Sequence, residues 1–410
     1  MKVTGLIAEY NPFHNGHAYH MEQARRVTDC DYLIVVMSGD FVQRGEPAIL
    51  NKYLRTKMAL SLGADLVLEL PVSYSCASAE YFAAGAVSLL DCLGVVDALC
   101  FGSETSSLSP LLEAASVLEQ EPKGYQKSLR AALKSGASFP SARQKALTGL
   151  LSESAMDCLA HPNNILGIEY LKALIRLKSH VVPYSIPRIA SGYHENQLNV
   201  ETGISSATSI RRILLSGEVS SLKAHMPKAC FDLLIGSLSD ACPITSDDFS
   251  LLLHDRLRDA TPATMGRILD FSPDLARRIC NCRESCTTFE GYVDLIKTKQ
   301  ITESRIRRSL LHLLLSIETS QVRQQIVRGW HSYVRILGFQ KSAAPLLTLI
   351  RESCPLPLIT APAKAETFLE PFALQVFRKD LQAVGLYESA AAVKFCRPPL
   401  SEHRQKLLVF

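Results

Sequence analysis

Three histidines, His14, His17 and His20, crowd the stretch AEYNPFHNGHAYH beside Pro12 and Gly16. Imidazoles this dense serve either a metal ion or the phosphates of a nucleotide. Pro12 ends the apolar run before it, because proline removes a ladder donor and biases Asn11 towards extended angles. Gly16 lets the backbone turn sharply and gives a ligand close access. A helix then begins at about His17. His14 and His17 therefore stand at the positive end of a helix dipole, among free backbone N–H groups, which together make an anion site. A metal suits the stretch less well, since His14 precedes the helix and no carboxylate lies at ligand spacing within it. Capping or packing would account for one histidine, but not for a strand, a proline turn, two spaced histidines and a helix together.

The elements that must position these residues alternate regularly. KVTGLIAEY, DYLIVVMSG, DLVLELP and VDALCFG read as strands; GHAYHMEQARRVT, NKYLRTKMALSLG and SAEYFAAGAVSLLDCLG read as helices between them. Short branched apolar runs separated by helical patterns mean βαβ units and a parallel sheet, with ligands bound beyond the carboxyl ends of the strands. Residues 107–178 are mostly helical, including GYQKSLRAALKSG and PNNILGIEYLKALIRLK, before a further strand, HVVPYSIPRI, and a helix, SSATSIRRILLSG. After about residue 235 the strand signal largely disappears and short Ser-, Thr- and Asp-capped helices follow. The expected organisation is a Rossmann-like α/β domain over residues 1–235 and an all-helical domain over 236–410.

The chain has 410 residues, 47% of them apolar, which is ample for two cored domains. A net charge of +4 permits a polyanionic partner without demanding one. The twelve cysteines form no CxxC pair, and free thiols in a reducing cytoplasm are the expectation. Neither a signal peptide nor a membrane-spanning run is expected from the sequence. The absence of G-x-G-x-x-G after the first strand and of G-x-x-x-x-G-K-[ST] anywhere argues against a redox dinucleotide and a P-loop nucleotidase.

His14-Asn15-Gly16-His17 resembles the HxGH signature of the nucleotidylyltransferase superfamily. Ser206-Ala207-Thr208-Ser209-Ile210-Arg211 resembles its second signature, ISST-x-[IL]-R, with Ala207 in place of the middle serine. With MSGDFVQRGEPA, CFGSE and PNNILG, the sequence is similar over nearly its whole length to the bacterial tRNA(Met) cytidine acetate ligase family. The resemblance implies that ATP and acetate form acetyl-adenylate and pyrophosphate, and that the acetyl group passes to N4 of the wobble cytidine in elongator tRNA(Met). It implies an ATP site lined by Ile7, Ala8, Glu9, Tyr10, Asn11, Pro12, Phe13, His14, Asn15, Gly16, His17 and His20, with Gly102 approaching the nucleoside. His17 is expected on the α-phosphate, His14 on the phosphate chain, and Thr208 and Arg211 on the β- and γ-phosphates. A phosphate neighbour would favour the imidazolium form of either ring.

Other positions keep two readings. Asn163 and Asn164 bond the adenine or ribose, or cap a helix behind Pro162. Gly102 meets the nucleoside or simply ends a strand. Arg188 follows a strand and reaches the nucleotide. Asp40, Gln43, Arg44 and Glu46 close over acetate, or belong to a turn made by Gly39 and Gly45. Magnesium is expected with the nucleotide, with Asp40 as its partner. For RNA, the run KTKQITESRIRRS supplies Lys297, Lys299, Arg305, Arg307 and Arg308, followed by Arg323, Arg328 and Arg335. These either contact phosphates or form a solvated helix face, and Tyr292, Trp330, Tyr333 and Phe339 either stack on bases or pack in the core. The alternative enzyme is a nucleotidylyltransferase that transfers AMP to a small phosphorylated acceptor, for which the long second half would be superfluous.

Overall fold

Branched apolar runs build one central sheet in a computed structural model that describes residues 1–188, 198 and 203–410. In chain order the strands are β1 (Val3–Ala8), β2 (Tyr32–Ser38), β3 (Phe41–Val42), β4 (Glu46–Pro47), β5 (Leu66–Leu70), β6 (Ala98–Ser103), β7 (Val182–Pro187), β8 (Val334–Phe339), β9 (Leu358–Ile359) and β10 (Leu408–Val409). The order across the sheet is β10-β8-β5-β2-β1-β6-β7, with β9 beside β8 and with β3 and β4 as a separate hairpin. From β5 to β7 every pairing is parallel, Leu6 standing opposite Val35 on one side and Cys100 on the other. The winding reverses at β1 and β6, so the ligand crevice of this fold lies beyond the ends of those two strands.

Side chains alternate between the two faces of the sheet, as a two-residue strand period requires. Ile34, Val36, Leu66, Leu68 and Leu99 enter one buried cluster, whereas Leu33, Val35, Val67 and Cys100 enter another. Both faces are therefore covered, which explains why these strands read as continuous apolar runs.

The second half is not all helical. β8 returns to the sheet antiparallel to β5, and β9 and β10 pair with β8. The sequence hid this strand because Tyr333 and Arg335 interrupt or flank its apolar run, yet both are buried in polar contacts with distant residues. Residue 235 lies inside the helix Lys228–Ser237, whose Cys230 and Leu234 share a cluster with Leu337 of β8. A helical unit with its own core spans Leu253 to Leu313. No helix among the described residues is long and apolar enough to cross a membrane.

Candidate active site

The turn after β1 feeds the helix Asn15–Thr28, with His14 as its N-cap in an extended conformation. Nδ1 of His14 accepts the Gly16 N–H at 3.1 Å, and Nδ1 of His17 accepts the His14 N–H at 3.3 Å. This reciprocal cap stacks the two rings, their centroids 3.7 Å apart and their planes at 28°. It also fixes their tautomers. A nitrogen that accepts from a backbone N–H carries no proton, so each neutral ring bears its proton on Nε2. Neither Nε2 has a hydrogen-bond partner among the described residues, so both remain available as donors to a ligand. Gly16 is required here, since a Cβ would stand 2.9 Å from Cε1 of His14.

Burial pushes His14 down to about 3, with Arg188 and Arg211 acting in the same direction. It drives His17 well below the ordinary histidine value, assisted by His14, Arg188 and His20, and takes His20 down to about 4. Near neutral pH the free protein therefore presents neutral donors, while the positive charge comes from two arginines and two helix ends. His20 is half-buried, and its Nε2 lacks a partner among the described residues.

The second motif faces the first. Ser206 caps the helix Ala207–Ser216 by accepting the Ser209 N–H at 3.1 Å. From that helix Arg211 Nη1 donates to the Asn11 carbonyl at 2.8 Å, and its Nη2 donates to Thr208 Oγ1 at 3.4 Å. Asn15 Nδ2 donates to the carbonyls of Gly203 and Ala224, both at 2.9 Å. Two signatures nearly 200 residues apart are thus stitched together by their own side chains.

The remaining expected contacts divide. Ile7 and Ala8 end β1 half-buried, while Phe13 is a core residue and the Tyr10 ring, also buried, stands edge-on to His17 at 4.9 Å. Asn11 is joined to Pro12 by a cis bond, and its Oδ1 accepts the Ile49 N–H at 2.7 Å. These residues shape the turn with their side chains directed at protein groups. Glu9 Oε1 accepts the Gln43 N–H at 2.9 Å, and burial raises its carboxyl above the usual range. Arg188 Nη1 donates to Asn163 Oδ1 at 3.2 Å. At Gly102 a Cβ would meet Arg188 Cγ at an ordinary 3.5 Å, so packing does not demand the glycine.

Glu104 is the residue that sequence reasoning missed. Its carboxylate accepts the N–H groups of Asn163 and Asn164 at 3.3 and 2.9 Å, and it also pairs with the Asn163 side chain. Asn164 Oδ1 accepts the Glu104 N–H at 2.8 Å. Neither asparagine is the N-cap, a position held by His161. A carboxylate some sixty residues upstream does the capping instead, and no local pattern announces it.

Below the crevice lies a second set that local sequence did not reveal. The fully buried Arg55 donates to the carbonyls of Leu50, Glu9, Ser38 and Gly39. Lys52 bridges Glu69 at 2.7 Å and Glu402 at 2.9 Å. Asp40 Oδ1 accepts the Lys52 N–H at 2.7 Å, and burial pushes its carboxyl up to about 7 against the pull of Lys52 and Arg55. Among the described residues no group of three or more His, Cys, Asp or Glu stands together as a metal site. With Asp40 already engaged in this buried set, the residues do not fit a metal held by the protein itself.

The basic run expected to meet RNA is largely neutralised. Arg307 pairs with Glu290 and Glu303, the first at 2.5 Å, and lies 3.7 Å from Glu46. Arg308 is buried against Asp270 at 2.7 Å, and Arg305 donates to the Asp270 carbonyl at 3.3 Å. Lys297 pairs with Glu303 at 2.8 Å, while Lys299 is exposed. Tyr292 and Tyr333 are core residues, and Trp330 and Phe339 are half-buried against the core.

A family profile described as HIGH Nucleotidyl Transferase matches residues 1–399. The chain is 40% identical to the tRNA(Met) cytidine acetate ligase of Acetivibrio thermocellus, covering 94% of each chain. It is also 40% identical to the protein of that name from Thermoanaerobacter sp. strain X514, covering 97% of this chain and 99% of the other. Crystal structures of Thermotoga maritima TmcAL superpose over all of both chains. The apo form gives a TM-score of 0.93 at 32% identity, and the form bound with alpha-thio ATP gives 0.91 at 31%. With a family profile matched over residues 1–399 and 40% identity to these two relatives over more than nine-tenths of each chain, the chain belongs to the tRNA(Met) cytidine acetate ligase family.

Proposed function

We propose that the protein activates acetate with ATP and transfers the acetyl group to N4 of the wobble cytidine of elongator tRNA(Met). The observation that carries this reading is the stacked pair His14 and His17 at a helix N-terminus, both Nε2–H groups without a partner among the described residues, with Arg211 reaching in from the second motif.

In the first step an acetate oxygen bonds to the α-phosphorus, and the bond from that phosphorus to the bridging oxygen breaks, releasing pyrophosphate. Negative charge grows on the phosphoryl oxygens and the leaving group. Fixed donors are the main device for stabilising such charge, and these are pre-set by the reciprocal cap. His17 serves the α-phosphoryl oxygens, His14 the phosphate chain, and Thr208 and Arg211 the leaving pyrophosphate. Magnesium would arrive with the nucleotide substrate and would supply charge shielding to its phosphates. In the second step the cytidine amine attacks the acetyl carbon, the carbon–oxygen bond to AMP breaks, and the amine loses a proton. Gly102 and Asn163, on the β6 side of the switch point, stand where the nucleoside would lie. Asp40, Gln43, Arg44 and Glu46 then serve mainly to shape the loop beside the acetate.

Incubation with ATP, acetate and bacterial tRNA, followed by nucleoside mass analysis, is expected to yield N4-acetylcytidine. His17→Ala is expected to lower acetyl-adenylate formation about 10²–10³-fold, the usual loss for one transition-state donor. AMP transfer to a small phosphorylated acceptor, with no acetate-dependent pyrophosphate exchange, would overturn the reading.

A further inference from the structure

The helix Lys123–Lys134 carries Lys123, Lys127, Arg130 and Lys134 at spacings of four, three and four. At about 100° per residue these four fall within roughly 60° of one another, a single stripe about 16 Å long. All four are exposed, whereas Tyr125 and Ala132 on the opposite face are buried. None of the four makes an ion pair or side-chain hydrogen bond among the described residues. The nearest acidic residue in sequence, Glu121, accepts from Gln126 at 3.3 Å.

The stripe has a fixed relation to the crevice. Its helix packs on the helix Phe139–Leu147, from which Arg143 pairs with Glu169 at 3.6 Å. Glu169 stands on the helix Pro162–Leu177, about 9 Å along the axis from Asn163 at the crevice.

We propose that this stripe is the docking surface for the phosphate backbone of the substrate tRNA, holding the RNA while its wobble nucleotide reaches the crevice. This rests on the function proposed above. Four cations in one row, without partners among the described residues, match a strand of regularly spaced phosphates, and they offer no carboxylate that would select a basic or neutral partner. Contacts of this kind position without reading sequence, so base choice belongs to the crevice.

The test is the fourfold variant K123A/K127A/R130A/K134A, whose changes are all at the surface, with folding checked by its melting temperature. Binding of an unmodified elongator tRNA(Met) transcript is measured across a salt series. The expected result is at least a tenfold weaker Kd near physiological salt, a salt dependence shallower by about 3 in log Kd against log salt, and a raised KM for tRNA. Replacing the three lysines by arginine, with Arg130 kept, is expected to preserve the affinity. An unchanged Kd and salt slope in the alanine variant would overturn the proposal, and would leave the stripe to a partner other than RNA. Acetate-dependent pyrophosphate exchange by the wild-type protein without RNA separately tests the chemistry, so the two failures are distinguishable.

Discussion

Two basic segments of this chain look alike in composition and differ in what surrounds them. KTKQITESRIRRS is the denser in cations, but Glu290, Glu303, Glu46 and Asp270 meet its arginines. KGYQKSLRAALK is less conspicuous, yet its four cations face outward without partners among the described residues. Arg307 and Arg308 are therefore tied mainly within the helical unit, and among the described residues Glu46 is the one ion-pair partner outside it. Gly45 of the β3–β4 turn, at φ +82°, lies so close to the backbone of Arg308 that no Cβ would fit. A cation's role is set by the carboxylates that the fold brings to it, and those can lie far away in sequence.

The largest effect should come from Arg308→Ala. It leaves the mostly buried Asp270 with His312 at 3.9 Å, a ring that burial holds below the ordinary histidine value. Breaking a buried pair in this way costs about 3 kcal/mol, and chemical denaturation would read it. RNA affinity should follow only the folded fraction. If Arg308→Ala instead stayed fully folded and lost tRNA binding, the contrast between the two segments would be broken.

Acid should expose the same rule from the other direction, through groups that burial keeps neutral. Burial lowers His331 to about 4 against the hydrogen bond it makes with the Gly85 carbonyl, and His14 and His20 are depressed as well. The unfolded chain takes up these protons near pH 6.5, before the native state does. Stability is therefore expected to fall as pH drops from about 6.5 towards 4, by about 1.4 kcal/mol per pH unit for each such histidine. His331→Gln should flatten the stability–pH curve by one proton. Asp270 works oppositely. Burial raises its carboxyl, but His312 and Arg308 together bring it below the ordinary value. Its contribution is present above about pH 4 and lost as pH falls through the folded value.

The sequence made the nucleotide half legible because its signals are local. β1, β2 and β5 lie within the runs read as strands, β6 passes the end of its run by Ser103 alone, and the proline turn, glycine and two histidines build the cap within a few residues. Long-range partners were not legible. Glu104 caps a helix far downstream, Arg55 holds the ends of β1 and β2 from a neighbouring helix, and β8 joins the sheet at β5 after a long excursion. The stripe on Lys123–Lys134 was present as a 4-3-4 spacing but read only as a helix, since nothing local says whether a lysine will find a carboxylate.

Within KTKQITESRIRRS the expected effects grade with burial. Arg307→Ala removes a mostly buried guanidinium from carboxylates that are 41–42% exposed. Solvent screening of Glu290 and Glu303 limits the loss to about 1 kcal/mol, well below that of Arg308. Lys297→Ala removes an exposed lysine from the same Glu303. Its effect should be the smallest of the three and should disappear in about 0.5 M salt, because the lysine sits in water and Arg307 remains to hold Glu303. Both are measured as shifts in denaturation midpoint, with tRNA affinity read alongside. A tenfold loss of affinity from Lys297→Ala at unchanged stability would place RNA on this segment after all, because a lysine committed only to Glu303 has no other route to the RNA.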